Sequence, residues 1–212
     1  MHAYLFDHVS SLLVGSRAES GDYYGPMLTV ISRWGTAVEH NSLYQYQFAN
    51  TQNIFMGFIQ TETAYYEPRP NASQFQSLPG PLSASLQATD PDFNSFCEDR
   101  NGTCKEGWAL RILSTRDILC YGAGLYSFFN NHNTACSDVG VEDCQTQIFG
   151  VDSGSSASPH RGGVGMKSSV LMYNLNTVGS VAMATVEDED VALEKDNTGP
   201  FPECIALFSS GR

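Results

Sequence analysis

The chain is short of positive charge: 11 Lys and Arg stand against 23 Asp and Glu, for a formal net charge of −12. That balance repels phosphate backbones and anionic lipid, so neither nucleic acid nor a membrane is an expected partner, while a neutral substrate is indifferent to it. No apolar run approaches the roughly 20 residues of a membrane-spanning helix. No Cys-x-x-Cys pair with histidines at finger distance occurs, which removes the common zinc frameworks, and no metal or other cofactor is expected. Extended helical periodicity is missing as well. The first residues, Met1 to Asp7, have neither the basic start nor the apolar stretch of an export signal.

What is present is a chain of 212 residues, 42% hydrophobic, long enough for a real core in one ordinary domain or two small ones. Its cysteines are numerous for a reducing compartment. Cys97 and Cys104 flank one short polar loop, Cys136 and Cys144 another. Local disulfides fit both pairs, each worth about 2–3 kcal/mol in a chain-entropy view. Cys120, in an apolar run, and Cys204, near the C-terminus, are buried thiols or a third bridge. Asn71 and Asn101 begin Asn-x-Ser/Thr sequons in exposed-looking stretches and are expected glycosylation sites. Together these features point to an extracellular protein. A secreted-type body without an export signal implies a chain incomplete at its front end.

Strand signals dominate. Residues 43–48 alternate, with Tyr44, Tyr46 and Phe48 on one face, and a polar break at 50–53 leads to the apolar run 54–59. The same layout recurs in 110–121 and again in 170–183, with corners at Thr51, Thr115 and Thr177. Short strands, polar corners and loop excursions of variable length fit the stacked coils of a parallel β-helix; an antiparallel sandwich is the alternative. Between the coils, residues 67–96 read as a long surface loop and 153–165 as a Gly/Ser-rich excursion. The acidic run 187–190 reads as a solvated turn.

The most informative stretch is 57–70. Glu62 sits between Thr61 and Thr63, after an apolar strand and just before Tyr65 and Tyr66. A carboxyl dry enough to hold a proton, with flat rings nearby, is what sugar chemistry needs. A solvated glutamate at a strand end is the plainer reading.

Longer motifs decide between these. Residues 34–40 (Trp34 to His40), 43–48, and 53–68 (Asn53 to Pro68) resemble fungal exo-β-1,3-glucanases of glycoside hydrolase family 55. Residues 107–112, 121–129 and 173–179 are similar to later landmarks of that family. The likeness runs from about residue 26 to the end and implies an all-β fold, a right-handed parallel β-helix of pectate-lyase type. Residues 26–212 would form the C-terminal member of a tandem pair with long loop insertions. Residues 1–25 match poorly.

The resemblance implies hydrolysis of β-1,3-glucan from the non-reducing end, releasing glucose with inversion. Glu62 falls at the general acid and Glu39 at a second acidic group that organises the attacking water, directly or through a relay. A direct inverting pair would hold its carboxyls about 6.5–9.5 Å apart. Other water-holding groups belong to the family's N-terminal β-helix, which has no counterpart here and becomes an expected partner of this chain. Trp34, Tyr65 and Tyr66 are candidate sugar platforms or spacers between coils. Gln60 should project to the same side as Glu62, and His40 is a structural histidine or a sugar contact. Trp108 and Tyr126 read as packing. Two other functions compete: a non-catalytic glucan-binding module or inactive remnant, and a polysaccharide lyase, which would want a basic cluster that the 11 scattered Lys and Arg do not form.

Overall fold

The computed structural model describes residues 12–15, 31–76, 93, 105–153, 167–199 and 202–211. Strand dominates: β1 (Leu12–Gly15), β2 (Ile31–Glu39), β3 (Tyr44–Ala49), β4 (Gln52–Glu62), β5 (Trp108–Leu113) and β6 (Arg116–Tyr126) come first. They are followed by β7 (Gln145–Gln147), β8 (Phe149–Asp152), β9 (Val170–Val178), β10 (Ser180–Val186), β11 (Glu189–Leu193) and β12 (Glu203–Ser210). One short α-helix, α1 (Ala72–Gln76), follows β4.

The strands make two sheets, ordered β1-β3-β5-β8-β10-β11 (with β7 also on β10) and β12-β9-β6-β4-β2. From β2 to β10 the chain passes back and forth between them, with β7 and β8 following one another in the first sheet; apart from β7, which pairs in parallel with β10, the successive strands of each sheet pair in parallel. Parallel neighbours need a crossover; here the crossover is a strand of the other sheet. Antiparallel pairing between named strands is confined to β11 on β10 and β12 on β9, which sets the antiparallel sandwich aside.

The alternation seen in the sequence builds the core between the sheets. Tyr46, Leu110 and Phe149 lie side by side in the first sheet, and Met56, Cys120 and Met172 in the second, all in one buried cluster. Each such side chain contributes about 1.5–3 kcal/mol relative to exposure, so these rows outweigh any surface contact. Burial pushes the Cys120 thiol up to about 12. Cys120 and the exposed Cys204 are both free, so the third bridge is not formed.

The structure adds one feature of the coils and corrects one expectation about them. Gln45 and Gln47, the polar partners in β3, are buried too: the Asn41 N–H donates to Gln45 Oε1 at 3.0 Å, and Arg111 Nη1 donates to Gln47 Oε1 at 2.7 Å. The insertion after Glu62 is not wholly a surface loop, because Ala72 and Phe93 fold back with Leu43, Tyr44 and Trp108 into a second small core. Trp108 is thus packing, as read. The acidic turn at Glu187 to Asp190 is exposed. All of the 153–165 stretch except Ser153 lies outside the described residues.

Corner chemistry is real, but its third member differs. Thr51 Oγ1 donates to Thr115 Oγ1 at 3.4 Å, and the Thr115 N–H donates to Ser168 Oγ at 3.0 Å. Thr177 lies elsewhere, opposite Leu125 at the far end of the second sheet. Residues 170–178 form one strand of that sheet, and the polar Asn-x-Asn-Thr inside it is not a corner. It carries a bend instead: Gly35, Phe58, Gly122 and Asn174 all have left-handed backbones (φ 60°, 52°, 76° and 58°) at one level of β2, β4, β6 and β9. At the corner beyond this sheet's C-terminal ends, side chains capture turn N–H groups. Glu67 Oε2 accepts from Gly107 at 2.6 Å, and Glu142 Oε2 accepts from Gly179.

Candidate functional site

Glu39 and Glu62 end β2 and β4 and face each other in register. Neighbouring strands lie about 4.8 Å apart, so the pairing brings the two carboxylates together. One oxygen of each and a ring nitrogen of His40 lie within 4.8 Å of one another, a donor set of the kind that also holds a divalent cation. His40 Nε2 is 3.4 Å from Glu62 Oε2, and Gln60 Nε2 donates to Glu62 Oε1 at 3.3 Å. Gln60 therefore does share the Glu62 side. The His40 N–H donates to the Glu62 carbonyl at 2.9 Å, fixing the imidazole beside the carboxylate. The Glu62 side chain is 28% exposed, sheltered but reachable.

The separation expected of a direct inverting pair is not found. The carboxylates approach more closely than 6.5 Å because they sit on adjacent parallel strands of one wall. Glu39 and Glu62 therefore lie on the same side of the groove.

The row continues to Tyr126, the last residue of β6 and the register partner of Glu62. Its ring folds back over Gly124, where an added Cβ would come 2.5 Å from the phenol oxygen. Burial pushes the Tyr126 phenol up, and the neighbouring Glu62 charge adds to it. Tyr126 thus packs over Gly124 and stands beside Glu62 at the end of the row. It stands as far beyond Thr115 as Glu62 does beyond Thr51, and that repeat was the signal that could have found it.

An aromatic rim rises beside these groups. Tyr65 meets the His40 ring edge-on at 5.4 Å, His132 at 5.0 Å, Tyr66 at 5.7 Å and Phe129 at 6.3 Å. The Tyr66 and Ser42 hydroxyls share a hydrogen bond of 2.6 Å, which ties Tyr66 to the corner after β2. Phe129 and His132 belong to the loop after β6. Its Asn131 and His132 N–H groups donate to the carbonyls of Glu67 (2.7 Å) and Tyr65 (2.8 Å), and the Cys136–Cys144 disulfide closes it. One of the two expected local bridges is thus present; Cys97, Cys104 and the Asn101 sequon lie outside the described residues. Asn71, half-buried at the start of α1, accepts from the Ser73 hydroxyl at 2.7 Å.

Trp34 is not at the carboxylates. It stands five positions before Glu39 on β2, 64% exposed, stacked on Phe55 at 6.0 Å and edge-on to Phe58 at 5.1 Å. Behind the site, Glu67 and Glu106 are buried, and desolvation holds both carboxyls well above the usual range.

No protein-family profile matches the chain. In sequence it is 35% identical over 182 residues, 84% of its length, to a glucan 1,3-beta-glucosidase of Cochliobolus carbonum. It is 34% identical over 178 residues to an Arthroderma benhamiae protein named "Probable glucan endo-1,3-beta-glucosidase". It is 31% identical over 178 residues to the "Non-secreted LysM effector LysM15" of Penicillium expansum. The chain spans 20%, 17% and 10% of the lengths of these three relatives. The likeness to fungal β-1,3-glucanases read from the motifs is borne out: over most of its length the chain is similar to fungal proteins named as β-1,3-glucosidases.

Proposed function

We propose that the chain is the acid-bearing portion of a β-1,3-glucan hydrolase, with Glu62 as the proton donor. The observation that supports this best is the setting of Glu62: a sheltered, reachable carboxylate bracketed by His40 and Gln60, with Glu39 alongside and Tyr65 and Tyr126 as walls. In this reading the alternating sheets are coils of a right-handed parallel β-helix, and the corner after β4 lifts Glu62 to the edge of the coil stack.

The chemistry follows from the geometry. Glu62 donates its proton to the departing glycosidic oxygen as the bond to the anomeric carbon breaks, and becomes a carboxylate. Gln60 and His40 hold its two oxygens in place, and Tyr65 and Tyr126 line the walls where a ring would lie. Water attacks from the opposite sugar face. Because Glu39 shares the wall of Glu62, other groups hold that water, and Glu39 acts through a relay or by electrostatics. The remaining length of the relatives, expected to include an N-terminal β-helix, is the source of that second wall. Release of glucose from the non-reducing end, an extracellular setting and glycosylation at Asn71 and Asn101 belong to the same reading; the Cys136–Cys144 bridge supports an oxidising compartment.

Proton NMR of sugar freshly released from laminari-oligosaccharides tests the mechanism. Inversion yields α-glucose first. Early β-glucose would mean retention through a covalent intermediate and would contradict this reading. A second reading, a glucan-binding module, draws on both carboxylates lying on one wall; bound laminarin with no sugar released would favour it.

A further inference from the structure

The outer face of the second sheet carries a row of rings that the chemistry at Glu62 does not use. Trp34, Gly57, Tyr121, Tyr173 and Leu207 are register neighbours across β2, β4, β6, β9 and β12. Trp34, Tyr121 and Leu207 are exposed, as is Phe58 beside them. The rings form one continuous set: Trp34 on Phe55, Phe55 to Tyr121 at 6.1 Å, and Tyr121 parallel to Tyr173 at 4.9 Å. Gly57 makes room for it, since a Cβ there would meet the Trp34 indole at 2.6 Å.

Phe58 sharpens the case. It is 62% exposed yet held at φ 52°, a conformation unfavourable for a bulky side chain, in a column whose neighbours are Gly35, Gly122 and Asn174. Burial does not offset that strain, and strain kept at an exposed ring is a mark of binding surfaces. None of the residues in the row is charged, in a chain of net charge −12. A second copy would bring the same excess of negative charge; a neutral ligand would not. Beyond the bend come Gln60 and Asn176 in the next register row, then Glu39, Glu62 and Tyr126. Flat rings, then amides, then a carboxylate, over roughly 16 Å of strand, is the sequence of groups that a neutral polyhydroxylated chain would meet.

We propose that this face binds the body of a β-glucan chain whose end reaches Glu62, with Trp34 and Phe58 as stacking platforms and the Tyr121 and Tyr173 hydroxyls as hydrogen-bonding partners. The proposal rests on β-glucan being the substrate, but not on Glu62 being the acid. The chain contains only two tryptophans, Trp34, which is exposed, and Trp108, which is buried, so acrylamide quenching reports Trp34. Laminarin titrated into the full 212-residue chain carrying Glu62→Gln should shield Trp34, while dextran, an α-glucan, should not. Tyr121→Ala or Phe58→Gly should weaken laminarin binding by about tenfold, and the melting temperature of Phe58→Gly should not fall, because glycine relieves the strain at φ 52°. Quenching unaffected by laminarin overturns the proposal, as does shielding that rises with protein concentration in the absence of sugar, the mark of a second copy. Hydrolysis by the full-length enzyme, with and without Glu62→Gln, separates the two ideas. Residual turnover with a shielded Trp34 removes the acid role and keeps this face; lost turnover with an unshielded Trp34 does the reverse.

Discussion

Replacing Glu62 with Gln in the full-length enzyme is expected to slow laminarin hydrolysis by roughly 10²–10⁴-fold, the range typical of a lost general acid. The amide keeps the shape and can still accept from Gln60, so the melting temperature should not move. Glu39→Gln should cost less, because Glu39 sits beside the donor and not across the sugar from it. The comparison is made on folded protein by initial rates of glucose release. Near-normal turnover by Glu62→Gln would place the proton donor elsewhere; a larger loss at Glu39 would exchange the two roles.

The second large effect concerns the corner that supports the site. Gly179 has a left-handed backbone, φ +73°, and a Cβ there would come 1.8 Å from the Ser127 carbonyl oxygen. That oxygen is backbone and cannot swing aside, because the Ser127 N–H is itself bonded to the Val178 carbonyl at 2.9 Å. Gly179→Ala should therefore destabilise the fold by roughly 3 kcal/mol, combining the backbone penalty with a steric shift of two coils. Urea denaturation measures it. A loss below about 1 kcal/mol, within the ordinary range for a point substitution, would mean that the coils are not stacked as tightly at this corner as the register implies.

The strands were legible because burial writes a period of two into the chain. Residues 43–48 with 54–59 and residues 110–113 with 118–121 were read as repeats of one layout, and the structure pairs the corresponding strands with the same stagger of 64 residues. Reading failed at 170–178 for a physical reason. Asn174 bends a strand in mid-course, and an Asn-rich bend looks in sequence like a corner. The true successor of Thr51 and Thr115 is Ser168, whose short hydroxyl carries little signal of its own.

At the site, Glu62, Gln60, Glu39 and His40 were legible because they lie on two strand ends close together in the chain. Tyr126, Phe129 and His132 were not. They reach the site only because β6 stacks on β4 and the following loop is tied back to Tyr65 and Glu67. Trp34 is the reverse case: close to Glu39 in sequence, it is carried away by the length of β2 into the separate aromatic row.

The most direct test is a crystal structure of the inactive Glu62→Gln chain with a laminari-oligosaccharide. The expected result is a glycosidic oxygen within about 3 Å of the side chain at position 62, the sugar resting against Tyr65 and Tyr126 and the water-binding face turned away from Glu39. An oligosaccharide bound with no glycosidic oxygen near position 62, or lodged elsewhere on the molecule, would contradict it.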